Sequence, residues 1–198
     1  MRCEPGLKPE RIIVVDDGAR AGAESLLPDV TWIEGKKPFC YARNCNLALS
    51  EIEGDAILLN DDAILQTPGG FSAMSQASEG WGILGPITNS SGNPNQLHHY
   101  HDGMVHDEPS RCLPFICAYI TANTLHKVGL LDETFDAYGY EDMDLCRRTR
   151  MAGLKVGIFD GCFVDHLSLK STFANSEFGR NCAPGQAQYL RKWGTLEA

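Results

Sequence analysis

Three groups of acidic residues stand where an apolar run ends or a helical pattern begins. They are Asp16 and Asp17 after residues 11–15, Asp61 and Asp62 after residues 55–59, and Glu141, Asp142 and Asp144 at the start of residues 141–153. Carboxylates placed side by side beside a core repel each other and are costly to desolvate. One such group alone is typical of a turn or a helix cap. Three together predict oxygen ligands for a divalent cation such as Mg²⁺ or Mn²⁺, with substrate phosphate completing its coordination.

The elements that must position these acids alternate along the first ~90 residues. The pattern predicts strands at 11–18, 29–35, 55–60 and 81–87, and helices at 41–54 and 70–80. Such alternation is typical of a mostly parallel, doubly wound sheet. Ligands of such sheets gather beyond the carboxyl ends of the strands, which is where the first two acidic groups lie.

The second half of the chain begins with a polar stretch, residues 88–111, which is rich in Gly, Pro and Asn and predicts a long loop or loose hairpin. The elements predicted after it are strands at 112–120 and 154–159 and helices at 121–129, 141–153 and 183–193. The helix over 141–153 has acids in its first turn and three arginines towards its end, an order that favours a helix.

Composition limits the classes of function. A chain of 198 residues with 43% hydrophobic residues predicts a single domain over 1–198. The 17 basic and 26 acidic residues give a net charge of −9, which argues against a nucleic-acid partner. No run of 18 apolar residues predicts an integral membrane segment, and the first ten residues lack the apolar region of a signal peptide. We therefore expect a cytoplasmic protein whose eight cysteines are reduced core thiols.

One class that would use such acids is the phosphoacceptor receiver domain. "IIVVDDG" (12–18) resembles its first strand, where an acid pair binds Mg²⁺ and a third Asp accepts phosphate. This interpretation accounts for residues 11–62 and leaves the helix over 141–153 and the polar loop without a role.

A different resemblance covers nearly all of the chain. Its segments are, in order, "IIVVDDGAR", "FCYARNCNLAL", "GDAILLNDDAIL", "GILGPITN", "VGLLDETFDAYGYEDMDLCRRTRMAGLKVGI" and "VDHLSLKST". This ordered set, with its "ED-x-DL-x-x-R" helix, resembles the family 2 glycosyltransferases, and the rhamnosyltransferase-like branch is the most similar. The resemblance implies a GT-A-like fold with a doubly wound mixed sheet and a metal-dependent, inverting sugar transfer. The donor would be a UDP-, dTDP- or GDP-linked sugar, and the acceptor a glycan, a lipid or a small molecule.

The resemblance also implies a role for each matching residue. Asp17 would contact the nucleotide base, Arg43 the base or diphosphate, Asp61 the ribose or sugar, Asp62 and His166 the Mn²⁺ or Mg²⁺ ion, Asp142 would be the general base, and Glu141 would contact acceptor or donor sugar. These roles suit the chemistry, because a metal neutralises a leaving diphosphate and a carboxylate takes the proton of an attacking hydroxyl. The helix N-terminus is expected to lower the pKa of Asp142.

Each assignment has a structural alternative. Asp142 and Asp144 could serve only their helix, Arg43 could only pair with an acid, and His166 could be a core histidine. Four histidines, His98, His99, His101 and His106, suggest zinc, but they lie in a polar loop without regular spacing. We interpret that loop as part of an acceptor side instead.

The sequence departs from the family at its start. The family has a strand and a long helix before "IIVVDD", whereas ten residues precede Arg11 here. An N-terminally truncated sheet is therefore expected, in which strands 11–15 and 55–59 pair directly or a homodimer covers the gap. The departure also leaves open a non-catalytic protein that binds a nucleotide or a nucleotide sugar.

Overall fold

The structure is a computed structural model that describes residues 11–18, 22–23, 25, 27–97, 102–136, 139–167 and 182–197. The strands are β1 (Ile13–Asp16), β2 (Thr31–Glu34), β3 (Ala56–Leu59), β4 (Ala63–Leu65), β5 (Ile83–Thr88), β6 (Val105–Asp107), β7 (Cys117–Ile120) and β8 (Val156–His166). The α-helices are α1 (Tyr41–Leu49), α2 (Gly70–Ala77), α3 (Ala122–Val128), α4 (Glu141–Met151) and α5 (Ala183–Trp193). None of the described helices is long and apolar enough to cross a membrane.

The larger of two sheets has six strands in the order β3-β7-β5-β8-β4, with β6 also paired to β8. Its one parallel pair is β5 with β8, and the other four pairs are antiparallel. The mixed sheet is confirmed, whereas the expectation of mostly parallel pairing is wrong. A receiver-like domain would have a parallel doubly wound sheet, so this pairing also argues against that alternative.

Two apolar clusters cover the two faces of this sheet. Side chains of neighbouring residues in a strand point to opposite faces, and Ile83 and Leu84 of β5 accordingly belong to different clusters. One cluster contains Leu49 of α1 and Leu145 of α4, and the other contains Met74 of α2. Helices therefore lie on both faces of the sheet, as a doubly wound fold requires.

Within the described residues the smaller sheet consists of β1 and β2, which pair in parallel from Ile13↔Thr31 to Asp16↔Glu34. All four β1 residues are only half-buried. The backbone amide of Gly35 donates to Asp16 O at 2.8 Å, and the amide of Lys36 donates to Asn44 Oδ1 at 3.0 Å. The first bond extends the pairing of the small sheet, and the second joins that sheet to α1, which also packs on the core of the larger sheet.

The expected direct pairing of strands 11–15 and 55–59 is wrong for the residues that the structure describes. β1 pairs with β2, and β3 pairs with β7. The homodimer that would cover the gap between the two sheets stays a prediction.

Most element boundaries shift because of tertiary contacts. The stretch 88–111 contains a 3₁₀ turn at Pro94–Leu97 as well as β6, which forms only by pairing with β8. β8 extends to His166, beyond the predicted end at residue 159, because β4 and the end of β5 pair with its last residues. The helix α1 ends at Leu49 rather than at Gly54, and the Ser50 hydroxyl there donates to Leu47 O at 3.1 Å, a bond that competes with further helix.

Candidate functional site

The first turn of α4 holds two neighbouring carboxyl groups in different surroundings. Glu141 is 8% exposed, and its Oε2 has no hydrogen-bond partner in the described part of the chain. Asp142 is half-buried, and its Oδ1 accepts a hydrogen bond from the backbone N–H of Met143 at 2.7 Å. The amide of Phe115 also donates to the Asp142 carboxylate. These amides hold Asp142 in place, whereas Glu141 keeps an unsatisfied oxygen.

Burial governs the acidity of both groups. It raises the pKa of Asp142 to about 6, although three backbone amides oppose the shift. Burial, followed by the charge of Asp142, raises the pKa of Glu141 to about 8. The expectation that the helix N-terminus would lower the pKa of Asp142 is therefore wrong, because desolvation outweighs the helix dipole and the amide bonds.

Tyr41 of α1 connects this turn to the end of β3. Its hydroxyl bonds to Phe115 O at 3.1 Å and to Asn60 Oδ1 at 3.3 Å. The backbone amide of Asn60 donates to Ile116 O at 2.9 Å. The segment before β7 thus contacts Asp142 of α4 as well as Asn60, the residue that precedes Asp61.

The structure brings Asp62 and His166 together, although 104 positions of sequence separate them. His166 Nε2 lies 3.4 Å from Asp62 Oδ1, and both side chains are mostly buried, at 18% and 13% exposure. Pairing of β4 with β8 causes this, because Ala63 lies opposite His166 in that register. The alternative that His166 is a core histidine does not account for this contact, in which the ring reaches a carboxylate at the edge of the sheet.

The other ring nitrogen determines how His166 is oriented. His166 Nδ1 lies 3.1 Å from Ser90 O, and a carbonyl can only accept, so we assign the ring hydrogen to Nδ1. In the neutral ring, Nε2 then directs its lone pair towards the carboxylate of Asp62. Two electron-rich groups that face each other this way are able to hold a cation between them.

The donor set fits a hard or borderline divalent cation. One imidazole nitrogen and one carboxylate oxygen suit Mn²⁺, and they also allow Mg²⁺ when other oxygens complete the shell. No group of three or more His, Cys, Asp or Glu ligands occurs among the described residues. Asp61, next to Asp62, is exposed in the same turn. Phosphate and water oxygens would therefore have to supply the remaining ligands.

Asp17 and Arg43 lie near the small sheet. Asp17 directly follows β1, and Arg43 is on α1. The Asp17 carboxylate pairs with Lys37 Nζ. Arg43 Nε lies 3.7 Å from Glu133 Oε2, and its Nη1 donates to Pro38 O at 3.4 Å. Arg43 thus has the acidic partner that the structural alternative expected, and no described contact joins either residue to Asp62 or Asp142.

Sequence reasoning missed the residues that follow β5. The Oδ1 atom of Asn89 accepts from the amide of His166 at 2.8 Å, and its Nδ2 donates to Asp165 Oδ1 at 2.5 Å. Asn89 thus holds the backbone of His166, while Ser90 O bonds its ring. Their position directly after a central strand is the signal that could have identified them.

Other residues have structural roles. His106 Nε2 pairs with Asp160 Oδ2 at 2.7 Å in the β6–β8 contact, while His98, His99 and His101 lie outside the described residues. Asp144 is buried between α4 and α5 and does not cap its helix. The seven described cysteines are free thiols, of which Cys182 is exposed.

Comparisons with known proteins agree with this fold. No protein-family model matches the sequence, and a search of curated proteins found no match. A solved structure of GalNAc-T7 with UDP, GalNAc and Mn²⁺ superposes with a TM-score of 0.62 at 10% identity. The match covers 79% of this chain and 37% of that one. The likeness is one of fold. This chain has a GT-A-like α/β fold and spans well under half the length of the glycosyltransferase that it resembles in structure.

Proposed function

We propose that the chain is a metal-dependent, inverting glycosyltransferase of the family 2 type, similar to the rhamnosyltransferase-like branch. It would move a sugar from a nucleotide-diphospho sugar to an acceptor hydroxyl. The observation that carries the proposal is the Asp62–His166 pair, oriented by Ser90 O, at the sheet edge of a GT-A-like fold. The GalNAc-T7 structure contains UDP and Mn²⁺, which supports a nucleotide and a metal as ligands of this fold.

The carboxyl groups of α4 supply the proton chemistry. The acceptor oxygen would attack C1 of the donor sugar, the bond from C1 to the diphosphate oxygen would break, and the hydroxyl proton would pass to Asp142. With a pKa raised to about 6, Asp142 is ionised at neutral pH and is a stronger base than an exposed aspartate. Glu141, with a pKa raised to about 8, is mostly protonated there and can donate a hydrogen bond to a sugar hydroxyl.

The donor would lie between the sheet edge and the small sheet. Asp62 and His166 would hold Mn²⁺ or Mg²⁺, which neutralises charge on the leaving diphosphate. Asp61, exposed in the same turn, would contact the ribose or the sugar. Asp17 would contact the base, and Arg43 would contact the base or diphosphate after leaving Glu133.

A binding experiment tests the metal site. UDP, dTDP or GDP should bind more tightly with Mn²⁺ than with EDTA, measured by calorimetry or thermal shift. Asp62→Ala should abolish the difference, because it removes the carboxylate ligand. The control is Asp29→Ala, which removes an exposed carboxylate and should keep the difference. Equal nucleotide binding with and without metal would contradict the proposal.

The separation of β1 from β3 favours a second candidate, a protein that binds nucleotide or nucleotide sugar without catalysis. Asp17 follows β1, whereas Asp61 and Asp62 follow β3, and the two strands belong to different sheets. Metal-dependent nucleotide binding without donor hydrolysis or sugar transfer would support this candidate.

A further inference from the structure

A cleft of about 520 Å³ opens beside the first turn of α4. Its lining includes Arg111, Cys112 and Met143, together with Leu196 and Glu197 from the segment after α5. Met143 follows Asp142 in sequence, and its backbone amide donates to Asp142 Oδ1 at 2.7 Å. The volume lies within the range of about 300–1,000 Å³ that small-molecule sites span. The cleft is thus large enough for a substrate, and one of its lining residues, Met143, bonds the proposed base.

The walls combine free charges with apolar surface. The guanidinium of Arg111 makes no ion pair with any described residue, and neither does the carboxylate of Glu197. Met143 is half-buried and Leu196 is 43% exposed. A guanidinium and a carboxylate form charge-assisted hydrogen bonds with hydroxyl groups, while methionine and leucine pack on C–H surface. A sugar ring presents both kinds of surface.

The wall after α5 is held firmly. The carbonyl of Glu197 accepts hydrogen bonds from Arg147 Nη1 and from the Tyr189 hydroxyl, both at 2.6 Å. Arg147 also stacks over the ring of Trp193, 4.5 Å from its centroid. Gly194, with a φ of 71°, provides the turn that brings the segment back onto α4. Leu196 and the Glu197 carboxylate are therefore presented to the cleft from a fixed backbone.

We propose that this cleft is the acceptor site, that its ligand is a carbohydrate, and that Arg111, Leu196 and Glu197 determine which sugar it accepts. The proposal rests on the proposed function, since it places the acceptor hydroxyl beside Asp142. It selects the glycan from the acceptor classes that the sequence leaves open.

Ligand-observed NMR with a panel of methyl glycosides, in the presence of UDP, dTDP or GDP and Mn²⁺, tests the site. At least one glycoside should receive saturation from the protein. Leu196→Trp should weaken its binding about tenfold or more by filling the cleft. Leu190→Trp is the matched control, because Leu190 is 40% exposed and lies on α5 outside the cleft. It should leave glycoside binding unchanged.

A second pair of variants keeps the test valid if Leu196→Trp fails to fold. Arg111→Ala should weaken glycoside binding by a similar factor through loss of charged hydrogen bonds. Its control, Arg191→Ala, removes an exposed arginine that bonds Gln188 on α5 and should change nothing. Binding of no glycoside, or binding that resists both cleft variants, would overturn the acceptor proposal. Nucleotide binding with Mn²⁺ is recorded on the same samples, and its failure would overturn the proposed function separately.

Discussion

At the scale of single residues, the two adjacent carboxyl groups of α4 differ in their hydrogen bonding and in their acidity. Asp142 accepts hydrogen bonds from amides, whereas Glu141 has an oxygen without a donor in the described structure. Burial raises the pKa of both, and Glu141 is the more affected. Near neutral pH, one group is therefore ionised and the other mostly protonated. Such a division allows two neighbouring carboxyls to perform different tasks.

Replacement of Asp142 by asparagine tests the base. The amide oxygen of Asn can still accept from Met143, so Asp142→Asn should fold, and nucleotide binding at Asp62 should persist. The rate of sugar transfer should fall by about 10²-fold or more, which is the usual contribution of a general base. Turnover and urea unfolding are measured on the same preparation. An unchanged rate per folded molecule would make Asp142 a helix-stabilising residue and Glu141 the next candidate.

Glu141→Gln tests the raised pKa through stability. The folded state favours protonated Glu141, so the wild-type cost of ionisation is absent below about pH 4.5 and grows as pH rises through about 8. Glutamine never ionises. The variant should therefore gain stability relative to wild type with rising pH, by a few kcal/mol at pH 9. Melting temperatures of both proteins from pH 5 to 9 measure the effect, and a constant difference would contradict it.

The pKa directions show a limit of sequence reasoning at this scale. The first-turn position of Asp142 led to the expectation of a lowered pKa, and it gave no sign of the desolvation that raises the pKa instead. Similarly, Asp62 and His166 lie 104 positions apart and meet only through the β4–β8 register. Their grouping followed from a family resemblance, since no local spacing indicates it. Tyr41 and Asn89 were missed for the same reason.

At the scale of elements, a buried carboxylate fastens α5 to α4. Asp144 is fully buried, and its Oδ2 accepts from Arg148 Nε at 2.7 Å. Its Oδ1 accepts from Trp193 Nε1 at 2.8 Å and lies 2.7 Å from Lys192 Nζ. These four residues join α4, which carries the proposed base, to α5, which is followed by the segment that lines the cleft. The position of that cleft wall therefore depends on Asp144.

Asp144→Ala should destabilise the protein by about 3–5 kcal/mol, because it leaves Arg148 and Lys192 partly buried without their shared anion. Asp132→Ala is the matched control. It removes another carboxylate that binds Lys192, but this one is 23% exposed, so its loss should cost clearly less than the loss of Asp144. Urea midpoints at an unchanged m-value give the two differences in unfolding free energy. Equal losses of unfolding free energy would show that the burial of Asp144 does not make its ion pairs more important for stability than those of Asp132.

Predictability also varied from element to element. The bounds of α5 match the sequence prediction, because Pro184 suits a first helical turn and Gly194 ends the helix. β4 and β6 have three residues each and no strand pattern of their own. They exist because β8 pairs with β5 along one edge and offers its other edge to β6 and β4, which only the folded chain reveals.

At the scale of the whole molecule, the order of elements predicted helices on both faces of a sheet, and the structure has them. It also has a division that the element order did not predict. The small sheet and the large sheet are linked through α1, which packs on both. The residues proposed to contact the base lie on one side of this division, and the proposed metal ligands and general base lie on the other.

That division has a consequence for local unfolding. β1 and β2 are four residues each, and a two-stranded sheet of this size is marginal in water. Amide hydrogens of Val14 and Val15 should therefore exchange with deuterium through openings far cheaper than global unfolding, while those of β5 and β8 exchange last. A bound nucleotide that touches Asp17 would have to close these openings. Part of its binding energy would then be spent on ordering one end of the protein, and protection of Val14 and Val15 would report its arrival.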